Sequence, residues 1–167
     1  MTTLAQLHLE IDSRVQAIRG SRADWQCAKG CDGCCRRLAA EPRLTAAEWD
    51  LLREGLSRLP AERLRQLAAD IAAIDGRPQG TLVCPLLDLA AGACTVYAWR
   101  PVACRTYGFY VQRELGLYCH DIEARVANGA LADVVWGNHD AIDHWLAGLG
   151  EARSLSEWFT CWQGSGP

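Results

Sequence analysis

Apolar residues recur along this chain at helical spacing near its ends and lose that spacing in its middle. Leu4, Leu7, Ile11, Val15 and Ile18 follow one another at intervals of three and four. That is one face of an amphipathic helix, which the pattern ends near Gly20. Thr45-Ala46-Ala47-Glu48 is a capping box, in which the threonine hydroxyl and the glutamate carboxylate satisfy each other's backbone N–H groups. It predicts a second helix bearing Trp49, Leu52 and Leu56. Pro60 suits the first turn of a third helix, striped by Leu64, Leu67, Ile71 and Ile74 and closed by Gly76, Pro78 and Gly80. Residues 81–119 carry no helical period. There 81–83 and 95–97 read as short strands around a turn at Ala91-Gly92, with a third strand at 109–111. Helical spacing returns at 120–126 and at 141–149, the latter capped by Asn138. Ser154-Leu155-Ser156-Glu157 is a further capping box, opening a last helix with Trp158, Phe159 and Trp162. Trp136, Trp145, Trp158 and Trp162 are expected to pack the C-terminal helices together.

The fold expected from this pattern is mostly α with a few short strands: a small, irregular, Cys-rich, metal-stapled single domain. It would span residues 1–167, with the metal-binding region at about 25–120 and a helical segment at 121–167. Half of the residues are hydrophobic and 22% are charged, which excludes a disordered chain, a collagen-like repeat and a long coiled coil. The net charge of −3 speaks against a nucleic-acid binder, whose footprint is a basic surface. No apolar run is long enough to cross a membrane, and the first residues lack the basic and apolar parts of a secretory signal. The expected location is the cytoplasm.

The nine cysteines change the picture. An odd number cannot form a complete set of internal disulfides, and a reducing compartment would not keep them. Clustered thiols there point to a metal ion. The first cluster is Cys27-Ala-Lys-Gly-Cys31-Asp-Gly-Cys34-Cys35. Two or three intervening residues let a tight turn aim two sulfurs at one ion, and Gly30 and Gly33 suit such turns. The adjacent side chains of Cys34 and Cys35 are expected to diverge and to serve two metals or two corners of a cluster. The second cluster supplies Cys84, Cys94, Cys104 and Cys119. Eight cysteines suffice for two zinc ions in Cys₄ sites or for an iron–sulfur centre. Cys161, on an aromatic helix, reads as a core thiol. The Cys27-x3-Cys31-x2-Cys34 spacing also matches that of radical S-adenosylmethionine enzymes. The strand–helix alternation of their barrel is missing here.

The Cys27 to Cys35 cluster, Cys84-Pro85-Leu86-Leu87, and Cys94-x-Val96-Tyr97-x2-Arg100-Pro101-x2-Cys104-Arg105-x-Tyr107 together resemble the YkgJ-type cysteine-cluster proteins, the CxxCxxCC domain. Gly116-Leu117-Tyr118-Cys119 fits their usual late cysteine. The first interval departs from the family's pattern, with three residues rather than two between Cys27 and Cys31. The resemblance implies chelation of zinc or iron in a bacterial cytoplasm. A related domain in the longer flagellin lysine N-methylases is the one enzymatic precedent that it implies. The reading is thus a metal-binding protein, with a metal ion as its partner. The alternative is an iron–sulfur enzyme of redox or protein lysine methyl-transfer activity.

Further residues qualify this. Lys29 is the only lysine among seventeen cations, and Arg36, Arg37, Arg100 and Arg105 lie beside cysteines. Four thiolates around one divalent metal carry a net charge of about −2. Guanidinium groups such as those of Arg100 and Arg105 would offset it. Asp88 reads as a turn aspartate. His139 and His144 are five apart and so point to different sides of a helix. His120, beside Cys119, is the best-placed of the histidines.

Overall fold

The computed structural model describes residues 3–74, 80–113 and 115–163. In chain order its elements are α1 (Leu4–Ser21), β1 (Arg43–Leu44), α2 (Ala46–Leu56), α3 (Ala61–Ala72), β2 (Leu87–Asp88), β3 (Ala93–Cys94), a 3-10 turn (Tyr97–Trp99) and α4 (Val102–Thr106). There follow β4 (Tyr110–Gln112), β5 (Leu115–Leu117), α5 (His120–Ala127), β6 (Gly137–Asn138), α6 (His139–Ala147), β7 (Arg153–Ser154) and α7 (Leu155–Gln163). The expected fold class, mostly helical with a few short strands, is what is found. No helix among the described residues is long and apolar enough to cross a membrane.

Four of the helices begin where side chains satisfy their first N–H groups. Thr3 and Gln6 form a capping box for α1, and Thr45 and Glu48 form the expected one for α2. Ser154 and Glu157 exchange the same pair of bonds at the start of α7. Asn138 accepts from Asp140 and Ala141 and so caps α6. Pro60 stands one position earlier than expected, as the N-cap of α3 rather than within its first turn. The breakers Gly76 and Pro78 lie outside the described residues.

The chain divides into two compact units. The first comprises Met1–Ala28 and Val102–Leu149, the second Lys29–Pro101 and Gly150–Pro167. The first unit's core joins Leu7, Ile11 and Ile18 of α1 to Val102, Phe109, Ile122 and Ile142. Its sheet runs β5-β4-β6, antiparallel between β4 and β5 and parallel between β4 and β6. Trp25 stacks on Phe109 and lies beside Trp136, which in turn meets Tyr118.

The second unit's core joins Leu44, Leu52 and Leu56 to Leu67 and Ile71 of α3, Leu86, Val96 and Phe159. β1 pairs with β7, and α7 is held by Glu41, which accepts from the Ser156 N–H and hydroxyl. Trp158 lies parallel to Trp49 and donates its indole N–H to the Leu44 carbonyl at 2.8 Å. A Cβ at Gly55 would fall 2.7 Å from the Trp99 ring, so α2 and the 3-10 turn touch at a position that only glycine permits. The four C-terminal tryptophans do not form one packing group. Trp136 and Trp145 belong to the first core, Trp158 and Trp162 to the second.

The middle of the chain departs from the expected strands. The hairpin is β2 with β3, pairing Leu87 with Cys94 and Asp88 with Ala93. It is set by Asp88, whose side chain accepts the N–H groups of Ala90 and Ala91, and by Gly92 at φ +62°. The expected strand at 81–83 is reduced to one bridge, Leu82 with Leu38. Val96 opens the 3-10 turn instead of a strand, because its side chain is drawn fully into the second core.

Candidate metal centre

Five of the eight candidate ligands, Cys31, Cys34, Cys35, Cys84 and Cys94, belong to the second unit. Cys27, Cys104 and Cys119 belong to the first.

In the second unit, residues 33–36 form a turn closed by bonds from Arg36 N–H to the Asp32 carbonyl and from Arg37 N–H to the Cys34 carbonyl. Gly30, at φ +97°, leads into it, while Gly33 does not need the left-handed region. The turn corrects the expectation that Cys34 and Cys35 diverge: their sulfurs lie 4.0 Å apart. Adjacent side chains splay in extended chain, but this backbone is not extended. Sulfurs around a tetrahedral zinc, each about 2.3 Å from the ion, stand about 3.8 Å from one another. The pair is therefore spaced for a shared ion. Hydrogen bonding to Cys35, then burial and the proximity of the Cys35 thiol, push the Cys34 thiol far above its usual range.

The second cysteine segment is fastened to this turn by backbone bonds. Leu38 and Leu82 exchange N–H···O bonds of 2.9 Å in both directions, and the Cys84 N–H donates to the Cys35 carbonyl at 2.7 Å. Cys84 is buried, and burial pushes its thiol up to about 11, with the nearby Cys94 and Cys34 thiols adding to the rise. The backbone N–H groups of Leu86 and Leu87 act in the opposite sense and favour its thiolate. Cys94 is raised by burial and relieved by the Val96 N–H and by the charges of Arg100 and Arg63. Buried thiols facing backbone N–H groups and guanidinium charge have the donor chemistry that a thiophilic metal requires. Cys34, Cys35, Cys84 and Cys94 all belong to the second unit and supply that donor chemistry there. Among the described residues, no three His, Cys, Asp or Glu side chains are drawn together tightly enough to hold a metal as they stand.

Cys31 is exposed. In the first unit the Cys27 thiol donates to the Tyr107 carbonyl at 3.5 Å and rests against Gly108, where a Cβ would fall 2.7 Å from its sulfur. Cys104 lies in α4, and Cys119 is the N-cap residue of α5; both are half-buried. The structure does not gather these three into a group. Cys161 is exposed on α7, contrary to its reading as a core thiol, because α7 turns Leu155 and Phe159 inward instead.

The flanking residues sort out clearly. Arg100 lies over the Tyr97 ring and donates to the Tyr97 carbonyl, and it is a charge neighbour of Cys94, as expected of it. Arg105 faces Asp12 at 3.4 Å, and Arg36 pairs with Asp32. His120 is exposed beside Glu123; His139 is half-buried on α6 and His144 exposed, so the last two diverge as expected. The sequence reading missed Arg63. It sits on α3, more than twenty residues before Cys84, and donates to the Pro85 carbonyl at 2.7 Å. No local motif could have pointed to it.

No curated protein and no solved structure matches this chain. One family model does, over residues 26–124, which takes in all eight candidate ligands. The chain belongs to the CxxCxxCC family, described as a "Putative zinc- or iron-chelating domain".

Proposed function

We propose that this protein holds a zinc ion in a closed site of four thiolates, those of Cys34, Cys35, Cys84 and Cys94, in a structural, storage or transfer role. The observation that carries the reading is the 4.0 Å separation of the Cys34 and Cys35 sulfurs, on a turn hydrogen-bonded to the segment that bears Cys84. A closed set of four sulfurs leaves no position for a substrate, which favours binding over catalysis. Each thiol must lose its proton to bind, so loading releases protons and stabilises the fold. Cys27, Cys104 and Cys119 are the sulfur donors of the first unit and the candidates for a second ion there, while Cys31 is a further candidate donor within the second unit. An iron–sulfur centre with redox or methyl-transfer chemistry is the runner-up, since thiolates suit both metals.

The test is metal analysis with a visible absorption spectrum on protein purified without oxygen. A colourless protein with at least about one zinc per chain, as a Cys₄ site requires, supports the reading. A brown protein with iron and labile sulfide overturns zinc and supports the runner-up. A folded protein that takes up neither metal overturns both.

A further inference from the structure

The ligand-bearing loop of the second unit is held from behind by a side chain of α3. Arg63 reaches from α3 to the Cys84-Pro85-Leu86-Leu87 segment. Its Nη2 donates to the Pro85 carbonyl at 2.7 Å and makes a longer contact of 3.5 Å with the Leu87 carbonyl. Both carbonyls belong to the turn after Cys84, which the Leu87 N–H closes by donating to the Cys84 carbonyl at 3.0 Å. Leu87 is also the β-partner of Cys94, so the same guanidinium touches the strand that sets the fourth sulfur. Thr95 completes the frame, its N–H and hydroxyl both donating to the Leu86 carbonyl at 2.8 and 2.9 Å. The Arg63 side chain is mostly buried. Its other nitrogen lies 3.7 Å from Asp70, a loose contact that leaves its orientation to the loop carbonyls.

We propose that Arg63 is the positioning residue of the metal centre: it fixes the Cys84 turn and the Cys94 strand in one arrangement and brings a cation to the anionic thiolate set. The inference rests on the reading that Cys84 and Cys94 are ligands. Arg63 touches no metal. It acts through the carbonyls of Pro85 and Leu87, as residues that orient metal ligands from behind do, and loss of such a residue typically costs ten- to a hundredfold in metal affinity.

The experiment measures Zn²⁺ affinity by chelator competition on the full chain, for the wild type, Arg63→Met, Arg63→Lys and Cys84→Ser. Melting of each metal-free protein is followed in parallel. Arg63→Met should bind Zn²⁺ about ten- to a hundredfold more weakly, with its metal-free melting close to that of the wild type. Arg63→Lys, which keeps the charge and a donor, should recover part of the loss. An Arg63→Met protein with wild-type affinity overturns the inference. So does one whose weaker binding is matched by an equal loss of metal-free stability, or one that Arg63→Lys does not improve. If Arg63→Met does not fold, the affinity of Arg63→Lys decides, and a value equal to that of the wild type overturns the inference. Loss of binding in Cys84→Ser shows that the ligand reading holds. Undiminished binding in Cys84→Ser overturns both readings together.

Discussion

The Cys84 N–H donates to the Cys35 carbonyl at 2.7 Å, so two cysteines forty-nine positions apart are placed by backbone rather than by their own side chains. The paired Leu38–Leu82 bonds beside it make this a short antiparallel clasp. The clasp predicts an effect without touching a cysteine. Leu82→Pro removes one N–H of the bridge and should weaken metal binding by about tenfold, since a lost backbone bond and the slackened loop are worth roughly 1 kcal/mol or more. Chelator competition against Leu82→Ala, which keeps the backbone bonds, separates the clasp from side-chain packing.

The N-cap of α2 is fully enclosed. Thr45 and Glu48 are both buried, and the Glu48 carboxylate accepts from the Thr45 N–H and hydroxyl at 2.9 Å each. Thr45→Ala removes the cap and leaves a buried carboxylate short of a donor. It should cost about 1–2 kcal/mol, read as a lower midpoint in urea, whereas Thr45→Ser should cost much less.

His8 of α1 makes the first unit sensitive to acid. Burial, followed by the nearby Arg105 charge, lowers its pKa from 6.5 to about 4, against an opposing pull from Asp12. The folded state thus binds fewer protons than the unfolded one between these values. Stability should be fully present above about pH 6.5 and fall as pH drops toward 4. The side chain is only half-buried, so solvent screening trims the effect to about 1–2 kcal/mol. Denaturant unfolding across that window should show the slope in the wild type and lose it in His8→Gln.

Thiol accessibility gives a further check on the site. In metal-free protein, an alkylating reagent should modify the exposed Cys31 and Cys161 first. Cys84, buried and raised to about 11, and Cys34, raised further by its bond to Cys35, should react last, since the thiolate is the reactive form. Mass spectrometry of the digested protein reads the order. Early modification of Cys84 would contradict the burial described for it.

The helices were legible in the sequence because each carries its own signal. The stripe Leu7, Ile11 and Ile18 and the boxes at Thr45 and Ser154 are local features, and the structure uses them as they stand. The hairpin was displaced because Val96 has the branching of a strand residue while tertiary packing claims it for the core. Asp88, read as a turn residue, indeed set the turn. The Cys34–Cys35 approach was not legible, since it depends on the closure of the 33–36 turn rather than on residue type. Arg63 was hidden for a similar reason: its partners are backbone carbonyls distant in sequence, which leave no pattern of side chains to find.

The most direct test of the account is the metal content of four single variants, Cys34→Ser, Cys35→Ser, Cys84→Ser and Cys94→Ser, each purified without oxygen beside Cys161→Ser. The account predicts that each of the four loses most of its bound metal while Cys161→Ser keeps the wild-type amount. Full metal retention in all four would contradict it and move the site to the remaining cysteines.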